Sequence, residues 1–307
     1  MRLCTLLALA ATLLLPEFAR AAEPAQIKIG MLSGMFRDVQ PTMIQALAKP
    51  FRELMMKQTG FNGDVEVFDD PLVLAAQMRD KKLTLGVFHG FEYAWAKEAC
   101  EDLVPIVITQ PPGGKVRAMV VVNRDSKAKS LADLKAEKIA LPRGAKAHSL
   151  AFFAKVHADL AETEAALKPM SKLTPEDVLE RVAMGEIEAA LVDATVLEGF
   201  KMLQPSAFKA IKILEQSEDF PPAVVAYRKG MLSDADAERV RAGLSSAAKT
   251  ASGKMLMAMW NLKGFTEPDK DYDTSLAACL KSYPVPAKVD ATKPRAGSLT
   301  GGEKEKK

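Results

Sequence analysis

Between residues 26 and 228 the sequence passes twice through an alternation of strand-like and helix-like segments. In the first pass, apolar stretches typical of strands alternate with helical patterns, at residues 26–32, 41–59, 64–68, 71–82 and 83–88. Strands joined through helices favour parallel sheets, so this alternation predicts an α/β fold. Pro50 lies inside the first helical pattern, where we expect it to kink or break the helix.

The second alternation begins after the turn-like segment QPPGGK at residues 110–115. Its helices include one after Ser130 and one capped by Thr174, and a strand is expected at residues 138–141. Strands at 116–123 and 223–228 are expected to connect the two units as hinges. The predicted fold class is therefore a two-lobed α/β architecture, each lobe a mostly parallel sheet flanked by helices. Its boundaries place lobe 1 at 26–115 plus 223–283 and lobe 2 at 116–222.

The two ends of the chain differ from the part between them. Arg2, an apolar run at residues 3–15 and the triplet Ala19-Arg20-Ala21 are typical of a secretory signal peptide over residues 1–22. The alternative is a membrane anchor, but the run is shorter than the ~20 apolar residues that span a bilayer. We therefore expect cleavage and a periplasmic product. Residues 284–307 are rich in Pro, Gly and Lys, which predicts a disordered tail.

Charge and cysteine usage limit the function classes. A formal net charge of +3 gives no basic stripe of the kind that nucleic acid requires. Cys100 and Cys279 could form a disulfide in an oxidising compartment, or could be two buried thiols, and the sequence leaves both alternatives open. His89, His148 and His157 show no metal-ligand spacing, so no metal site is predicted.

The turn within LPRGAKAHSLAFF, residues 141–153, points to an anion. It leads from a predicted strand into a predicted helix, and it carries Arg143, Lys146 and His148. The first N–H groups of a helix already favour anions, and basic side chains beside them add to that attraction. The turn is thus either half of an anion site or a solvated surface loop.

Four segments, in this order, carry a resemblance to a known family. They are IKIGMLSGMF, LTLGVFHGFEYAWAKE, VVVNRDSKAKSLADLKAEKIAL and LERVAMGEIEAALVDATVLEGF, and the resemblance spans roughly residues 27–228. The chain resembles the periplasmic substrate-binding proteins of ABC importers, and specifically the phosphate/phosphonate-binding (PhnD-like) branch of the type 2 binding fold. The third segment, with its Asp-Ser and Ser-Leu-x-Asp-Leu-Lys pattern, is the most specific.

The resemblance implies a ligand held between the lobes by loops at the carboxyl ends of strands. Tyr93 falls on the family's tyrosine, with a core aromatic as its alternative role. Asp193 falls on an acidic position, and it could equally cap the next helix. Glu92 and Arg143 are further candidates on these turns. The implied ligand-binding residues are Ser33, Gly34, Met35, His89, Gly90, Tyr93, Lys146, Ala147, His148, Ser149 and Asp193.

The sequence departs from the family at two of these turns. His89 and Gly90 replace the family's Gly-Pro, and Lys146, Ala147 and His148 fall on its Ser-Thr-Ser. The implied function is nevertheless capture of a small phosphonate- or phosphate-like oxyanion for an ABC permease. We expect a monomer with no cofactor and no catalysis.

Two other function classes remain as alternatives. A periplasmic sensor subunit of a receptor or kinase would have the same fold, and the genes beside this one would discriminate the two roles. A secreted hydrolase is the third class, but the sequence shows no GxSxG, HExxH or P-loop motif.

Overall fold

The structure is a computed structural model that describes residues 26–36, 41–157 and 166–286. The predicted signal peptide, residues 287–307 of the predicted tail and the end of the helix expected after Ser149 lie outside the described residues. Within them, no helix has both the length and the apolar character needed to cross a membrane.

Two separate sheets form the framework of the protein. In chain order the strands are β1 (Gln26–Leu32), β2 (Asn62–Phe68), β3 (Leu85–Phe88), β4 (Leu103–Gln110), β5 (Ala118–Asn123), β6 (Ile139–Pro142), β7 (Lys168–Met170), β8 (Ala189–Asp193), β9 (Ile211–Gln216), β10 (Val224–Arg228) and β11 (Gly264–Thr266). The lobe 1 sheet has the order β2-β1-β3-β10-β4-β11, and the lobe 2 sheet has the order β7-β6-β8-β5-β9.

The two sheets share one plan. In lobe 1, β1 pairs in parallel with β2 and β3, while β10 is antiparallel to β3 and β4. In lobe 2, β6 pairs in parallel with β7 and β8, while β5 is antiparallel to β8 and β9. In each sheet, the strand that follows a crossing from the other lobe runs antiparallel to both of its neighbours. This strand is β10 in lobe 1 and β5 in lobe 2. The predicted two-lobed α/β fold, with sheets flanked by helices, is confirmed, but the sheets are mixed rather than mostly parallel, because five of the nine strand pairings in the described residues are antiparallel.

The helices that the structure describes are α1 (Pro41–Thr59), α2 (Pro71–Arg79), α3 (Gly90–Ala99), α4 (Ala147–His157), α5 (Pro175–Ala183), α6 (Ala194–Leu203), α7 (Pro205–Phe208), α8 (Asp234–Ser245), α9 (Ala251–Met259) and α10 (Tyr272–Ser282). Local chemistry sets several of their starts. Asp70 caps α2 by accepting from the N–H groups of Leu72 and Val73, and Thr174 and Asp177 form the predicted capping box of α5.

Two local predictions were wrong in part: α1 is not broken at Pro50, where a kink stays a prediction, and Ser130 is the N-cap of a 3-10 turn rather than of a longer helix. Helix α1 continues through Pro50, because the loss of one backbone bond is offset by the complete burial of Phe51, Leu54 and Met55 on the lobe 1 core. The helix expected after Ser130 is instead a pair of 3-10 turns, Leu131–Asp133 and Ala136–Lys138. Leu134, between them, has an extended backbone that interrupts the helix.

The lobes are connected by two short antiparallel segments. The N–H of Thr109 donates to the carbonyl of Ala223 at 2.8 Å, and that of Phe220 donates to the carbonyl of Val116 at 2.9 Å. The expected hinge strands at 116–123 and 223–228 lie mostly inside the sheets as β5 and β10. The crossings themselves therefore lie just before those strands.

A hydrophobic cluster, here called the inter-lobe cluster, bridges the two lobes. Phe91 and Trp95 of α3 pack there with Phe220 of the second crossing and with Tyr283, which follows α10. The same cluster contains lobe 2 side chains such as Val120. The ring centroids of Phe220 and Tyr283 are 4.6 Å apart, and those of Phe91 and Phe220 are 5.9 Å apart. The lobes are thus in contact through aromatic rings as well as through the crossings.

Candidate functional site

The predicted site segments lie at the carboxyl ends of four strands. Ser33–Phe36 forms a 3-10 turn after β1, and His89 links β3 to α3. The turn after β6 leads into α4, and Asp193 ends β8 where α6 begins. This edge is where ligands bind in open α/β sheets.

Gly34 brings the two lobes close together at this edge. A Cβ placed on Gly34 would lie 3.4 Å from Cε1 of His89 and 4.0 Å from Cβ of Ala147. Gly34 and His89 belong to lobe 1, whereas Ala147 opens the first helix of the lobe 2 site. Between Gly34 and Ala147 the lobes are therefore separated by a gap that a single added carbon atom would bridge, where the sequence predicts the ligand.

His89 forms a close pair with a carboxylate of its own helix. Its Nδ1 lies 2.6 Å from Oε2 of Glu92, and the two side chains are only 16% and 12% exposed. The imidazole also stacks on Phe91, with ring centroids 6.1 Å apart. This contact holds the ring of His89 in one orientation beside Gly34.

His148 forms the matching pair in lobe 2. Its Nε2 lies 2.8 Å from Oδ2 of Asp193, and each side chain is 7% exposed. The geometry is not that of an aligned hydrogen bond, so this is a close polar contact that becomes an ion pair only when the ring is protonated. The ring of His148 lies 5.3 Å from that of Phe220 in the second crossing.

Asp193 has two roles at once. Its Oδ1 accepts the N–H of Thr195 at 2.8 Å and so caps α6. Burial raises the pKa of this carboxyl, but His148 and the Thr195 N–H lower it by more, and the net shift is downward. Asp193 is therefore held as a carboxylate, facing His148.

The first turn of α4 contains a buried hydroxyl without a partner. Ser149 is 0% exposed, and its Oγ has no hydrogen-bond partner among the described residues. A buried polar group left unpaired costs about 1–3 kcal/mol, so a ligand or water is the expected partner. Lys146 and Arg143 on the same turn are exposed to solvent.

Other predicted residues have structural positions instead. Tyr93 is 0% exposed, and its hydroxyl donates to the carbonyl of Leu103 at 3.2 Å. Burial, with the nearby charge of Asp273, raises the pKa of Tyr93 well above its ordinary value. Tyr93 therefore lies in the core of lobe 1, as in the alternative role that the sequence left open, and its contact with a ligand stays a prediction. Met35 packs partly against the same lobe's core.

Gly90 allows the second crossing to approach α3. A Cβ at this position would lie 2.0 Å from the carbonyl oxygen of Pro221, which no side chain could tolerate. Ser33 is partly exposed within its 3-10 turn. The structure thus brings together Gly34, His89 and Ala147, with His148, Ser149 and Asp193 on the lobe 2 side.

The two cysteines are free, buried thiols. Cys100 lies in the core of lobe 1 and Cys279 lies in the inter-lobe cluster. Burial raises the pKa of the Cys279 thiol to about 12. Of the two alternatives that the sequence left open, the structure shows the pair of buried thiols.

The aromatic side chains between the two histidines were absent from the sequence prediction. Phe91 and Phe220 lie in contact between His89 and His148. In the sequence, Phe220 lies in the segment DFPP, and this segment shows no periodicity or motif that would predict its place between the histidines. No group of three or more His, Cys, Asp and Glu side chains in the described part of the chain could hold a metal ion.

The fold and the cleft define a two-lobed binding protein, and comparison with known families gives its class. The family model described as "ABC transporter, phosphonate, periplasmic substrate-binding protein" matches residues 34–272. The chain belongs to this family, whose members are binding components of transporters.

Individual relatives are more distant. A protein of Escherichia coli (strain K12), provisionally named an aliphatic sulfonates-binding protein, is 30% identical over 185 residues, which cover 60% of this chain and 54% of that protein. The match thus spans about half of that relative's length.

Solved structures support the same fold. A binding component of an ABC phosphonate transporter from Pseudomonas aeruginosa is 19% identical, with a TM-score of 0.54 over 84% of this chain and 87% of its own. PhnD1 from Prochlorococcus marinus, in complex with methylphosphonate, is 13% identical, with a TM-score of 0.55 over 84% of this chain and 98% of its own.

Proposed function

We propose that this protein captures a small organic oxyanion, a phosphonate or a sulfonate, in the cleft and presents it to an ABC permease. The observation that carries the proposal is the lobe 2 edge of the cleft. There the first turn of α4 combines a buried His148, 2.8 Å from Asp193, with the unpartnered hydroxyl of Ser149.

Three kinds of donor are available to an anion at that edge. The N–H groups of Ser149 and Leu150 donate to the carbonyl of Lys146, which leaves those of Ala147 and His148, at the positive end of the dipole of α4, for an anion. Ser149 adds a hydroxyl, and the exposed Lys146 adds a cationic side chain at the rim. Together they supply directional hydrogen bonds and positive potential, which a tetrahedral oxyanion group requires.

The other lobe would complete the site when the cleft closes. Gly34 leaves space beside His89 for a ligand's apolar substituent or for its remaining oxygen atoms. Since only the closed form contacts the ligand from both lobes, binding would favour closure at the two crossings.

The ligand class includes both phosphonates and sulfonates for chemical reasons. Each carries three oxygens on one central atom attached to carbon. The family model names phosphonate, whereas the E. coli relative's name refers to aliphatic sulfonates. His148 stands where hydroxyl donors are expected from the resemblance, which favours an altered specificity within this class.

The family implies a periplasmic location and a membrane permease as partner. Cleavage of residues 1–22 and a monomeric state are further parts of the proposal. N-terminal sequencing of the exported protein would test the cleavage, and light scattering would test the monomer.

A thermal-shift series tests the ligand class. The mature protein is melted with phosphate, methylphosphonate, sulfate, methanesulfonate or sodium chloride at matched ionic strength. A ligand that binds the folded state raises Tm according to its concentration over Kd. We expect a rise with at least one organic oxyanion and none with chloride.

Two lysine variants provide a matched control. Lys146→Ala removes a cation from the candidate site, whereas Lys172→Ala removes a comparable exposed cation elsewhere on lobe 2. Only Lys146→Ala should weaken the response. Unmoved Tm values with every oxyanion would refute the proposal.

A further inference from the structure

The enclosed part of the candidate site contains two imidazole–carboxylate pairs. His89 pairs with Glu92 in lobe 1, and His148 pairs with Asp193 in lobe 2. None of these four side chains is more than 16% exposed. A Cβ placed on Gly34 would lie 3.4 Å from Cε1 of His89 and 4.0 Å from Cβ of Ala147, the neighbour of His148, so the segments that carry the two pairs lie on opposite sides of one gap between the lobes.

The charge of this space depends on the two imidazoles. With both rings neutral, the pairs leave two carboxylates and a formal charge of −2, which repels an oxyanion. Each proton taken up by a ring raises that charge by one. Because these side chains are largely buried, a change of one unit of charge alters the energy of a bound anion more than it would in water.

Several other charged groups lie on the elements that carry or contact these pairs. Beside His148, Lys146 and Arg143 are exposed cations on the turn before α4. Further along α4, Lys155 pairs with Glu218, and the neighbouring crossing carries Arg117 paired with Asp219.

Around His89, the packed neighbours are Glu92, Phe91 and the backbone of Gly34. Histidine is the side chain that ordinarily changes its charge between about pH 5 and 8. Of the groups named here, the imidazoles are therefore those that can make the cleft respond to pH in that range.

We propose that the protein binds its oxyanion together with a proton, which is taken from solvent and held on His148 against Asp193. His89 and Glu92 form a second pair of the same kind. This inference rests on the proposed function, and it adds that affinity is governed by pH. An anion in the cleft stabilises the imidazolium, and the imidazolium stabilises the anion.

The coupling of proton uptake to anion binding fixes the sign and the size of the pH dependence of affinity. Where the free ring is neutral and the bound ring is protonated, uptake of one proton weakens binding about tenfold per unit rise in pH. At pH values low enough for the ring of the free protein to be protonated already, the affinity no longer changes with pH. The protein would thus capture its ligand best in mildly acidic surroundings.

The experiment uses methanesulfonate as the main probe, because its charge does not change in this pH range. Binding is measured by titration calorimetry at several values between about pH 5.5 and 8.5. At one pH the titration is repeated in two buffers of different ionisation enthalpy. The difference between the two measured binding enthalpies gives the number of protons taken up per anion. We expect about one proton per anion and progressive weakening towards alkaline pH. Methylphosphonate is run in parallel, because its own ionisation adds to the dependence.

Two variants separate the titrating group from fixed charges. His148→Gln keeps a polar side chain that cannot be protonated, so it should lose the acid-enhanced affinity and flatten the pH dependence. Lys146→Gln removes a cation that is not an imidazole, so it should weaken binding to a similar degree at every pH between about 5.5 and 8.5. An equal slope in His148→Gln and the unmodified protein would overturn the assignment to His148.

A spectroscopic measurement on the unmodified protein tests the inference even if a variant fails to fold. In the unmodified protein, the histidine ring signals are followed by NMR over the same pH range, with and without methanesulfonate. The titration midpoint of one ring should move to higher pH when the anion is bound. An unchanged midpoint for every histidine would contradict the inference.

The outcomes also distinguish this inference from the function on which it rests. If neither methanesulfonate nor methylphosphonate binds at any pH, the proposed function fails. If either binds without pH dependence and without proton uptake, binding is retained as the function and coupling to a proton is excluded.

Discussion

Tyr283 donates a 2.7 Å hydrogen bond from its hydroxyl to Oε2 of Glu218, which joins the end of α10 to the second crossing. The carbonyl of Tyr283 accepts from Nε1 of Trp95 at 2.8 Å, and its ring packs on Phe220. Lys155 of α4 pairs with the same Glu218. The segment after α10 is thus a third connection between the lobes, although the chain itself crosses elsewhere.

Removing this hydroxyl should loosen the connection. Tyr283→Phe loses a hydrogen bond to a charged acceptor, and we expect a loss of about 1–3 kcal/mol in the free energy of unfolding. Denaturant melts measure the loss, and small-angle scattering should show a more open average shape. Tyr227→Phe is the control, because Tyr227 makes no side-chain hydrogen bond within the described residues. Equal stability of the two variants would contradict this role for Tyr283.

Glu218 should make part of the stability depend on acid. Burial raises its pKa, but Lys155 and Tyr283 lower it by more, to about 2 from an ordinary 4.5. A carboxyl with a depressed pKa stabilises the fold above its ordinary pKa, and the contribution is lost as pH falls through the folded value.

The stability advantage of the unmodified protein over Glu218→Gln should therefore be full at neutral pH. It should shrink between about pH 4.5 and 2. Chemical melts at several pH values measure this difference, and a constant gap throughout that range would rule out the linkage.

Gly90 should not tolerate a side chain. Gly90→Ala places a methyl group 2.0 Å from the carbonyl oxygen of Pro221, so α3 or the second crossing must shift. We expect a loss of about 1–3 kcal/mol in the free energy of unfolding, as for other overpacked sites. Gly199→Ala in α6 is the control, since a Cβ there meets no atom within 4 Å. The control should be neutral or slightly stabilising, and a similar loss in both variants would count against the close contact.

Gly34 should control access to the cleft more than it controls stability. A Cβ here would touch Cε1 of His89 at 3.4 Å, which a small shift accommodates, so Gly34→Ala should retain anion binding. Gly34→Leu would extend into the space between His89 and Ala147 and should lower the affinity at least tenfold, or about 1.4 kcal/mol. Calorimetry measures the affinity and thermal melts check the fold. Full binding by Gly34→Leu would place the ligand elsewhere.

The cysteines should resist thiol reagents while the protein is folded. Cys100 and Cys279 are both buried, and burial raises the pKa of the Cys279 thiol to about 12. The thiolate is the reactive form, so labelling in native buffer should be slow. Both thiols should react after unfolding in denaturant without any reductant. A requirement for reductant would reveal a disulfide instead.

Much of the fold could be predicted because its signals are local. The alternation of strands and helices specified two α/β lobes, and short-range chemistry set the start of α5 at Thr174 and of α6 at Asp193. The turn before α4 was recognisable for the same reason, since its basic residues and its helix start are neighbours in sequence. The resemblance to the family rested on such contiguous segments, and the family model confirms it.

Tertiary structure decided which of these side chains meet. Tyr93 falls on a ligand position by resemblance, yet packing directs it to Leu103 in the core. His148 meets Asp193, and Tyr283 meets Glu218, only because strands and helices far apart in sequence converge at the cleft and at the crossings. Periodicity and capping depend on near neighbours and can be read from the sequence. Pairing of charges and burial of rings depend on how whole lobes pack, which the order of residues does not display.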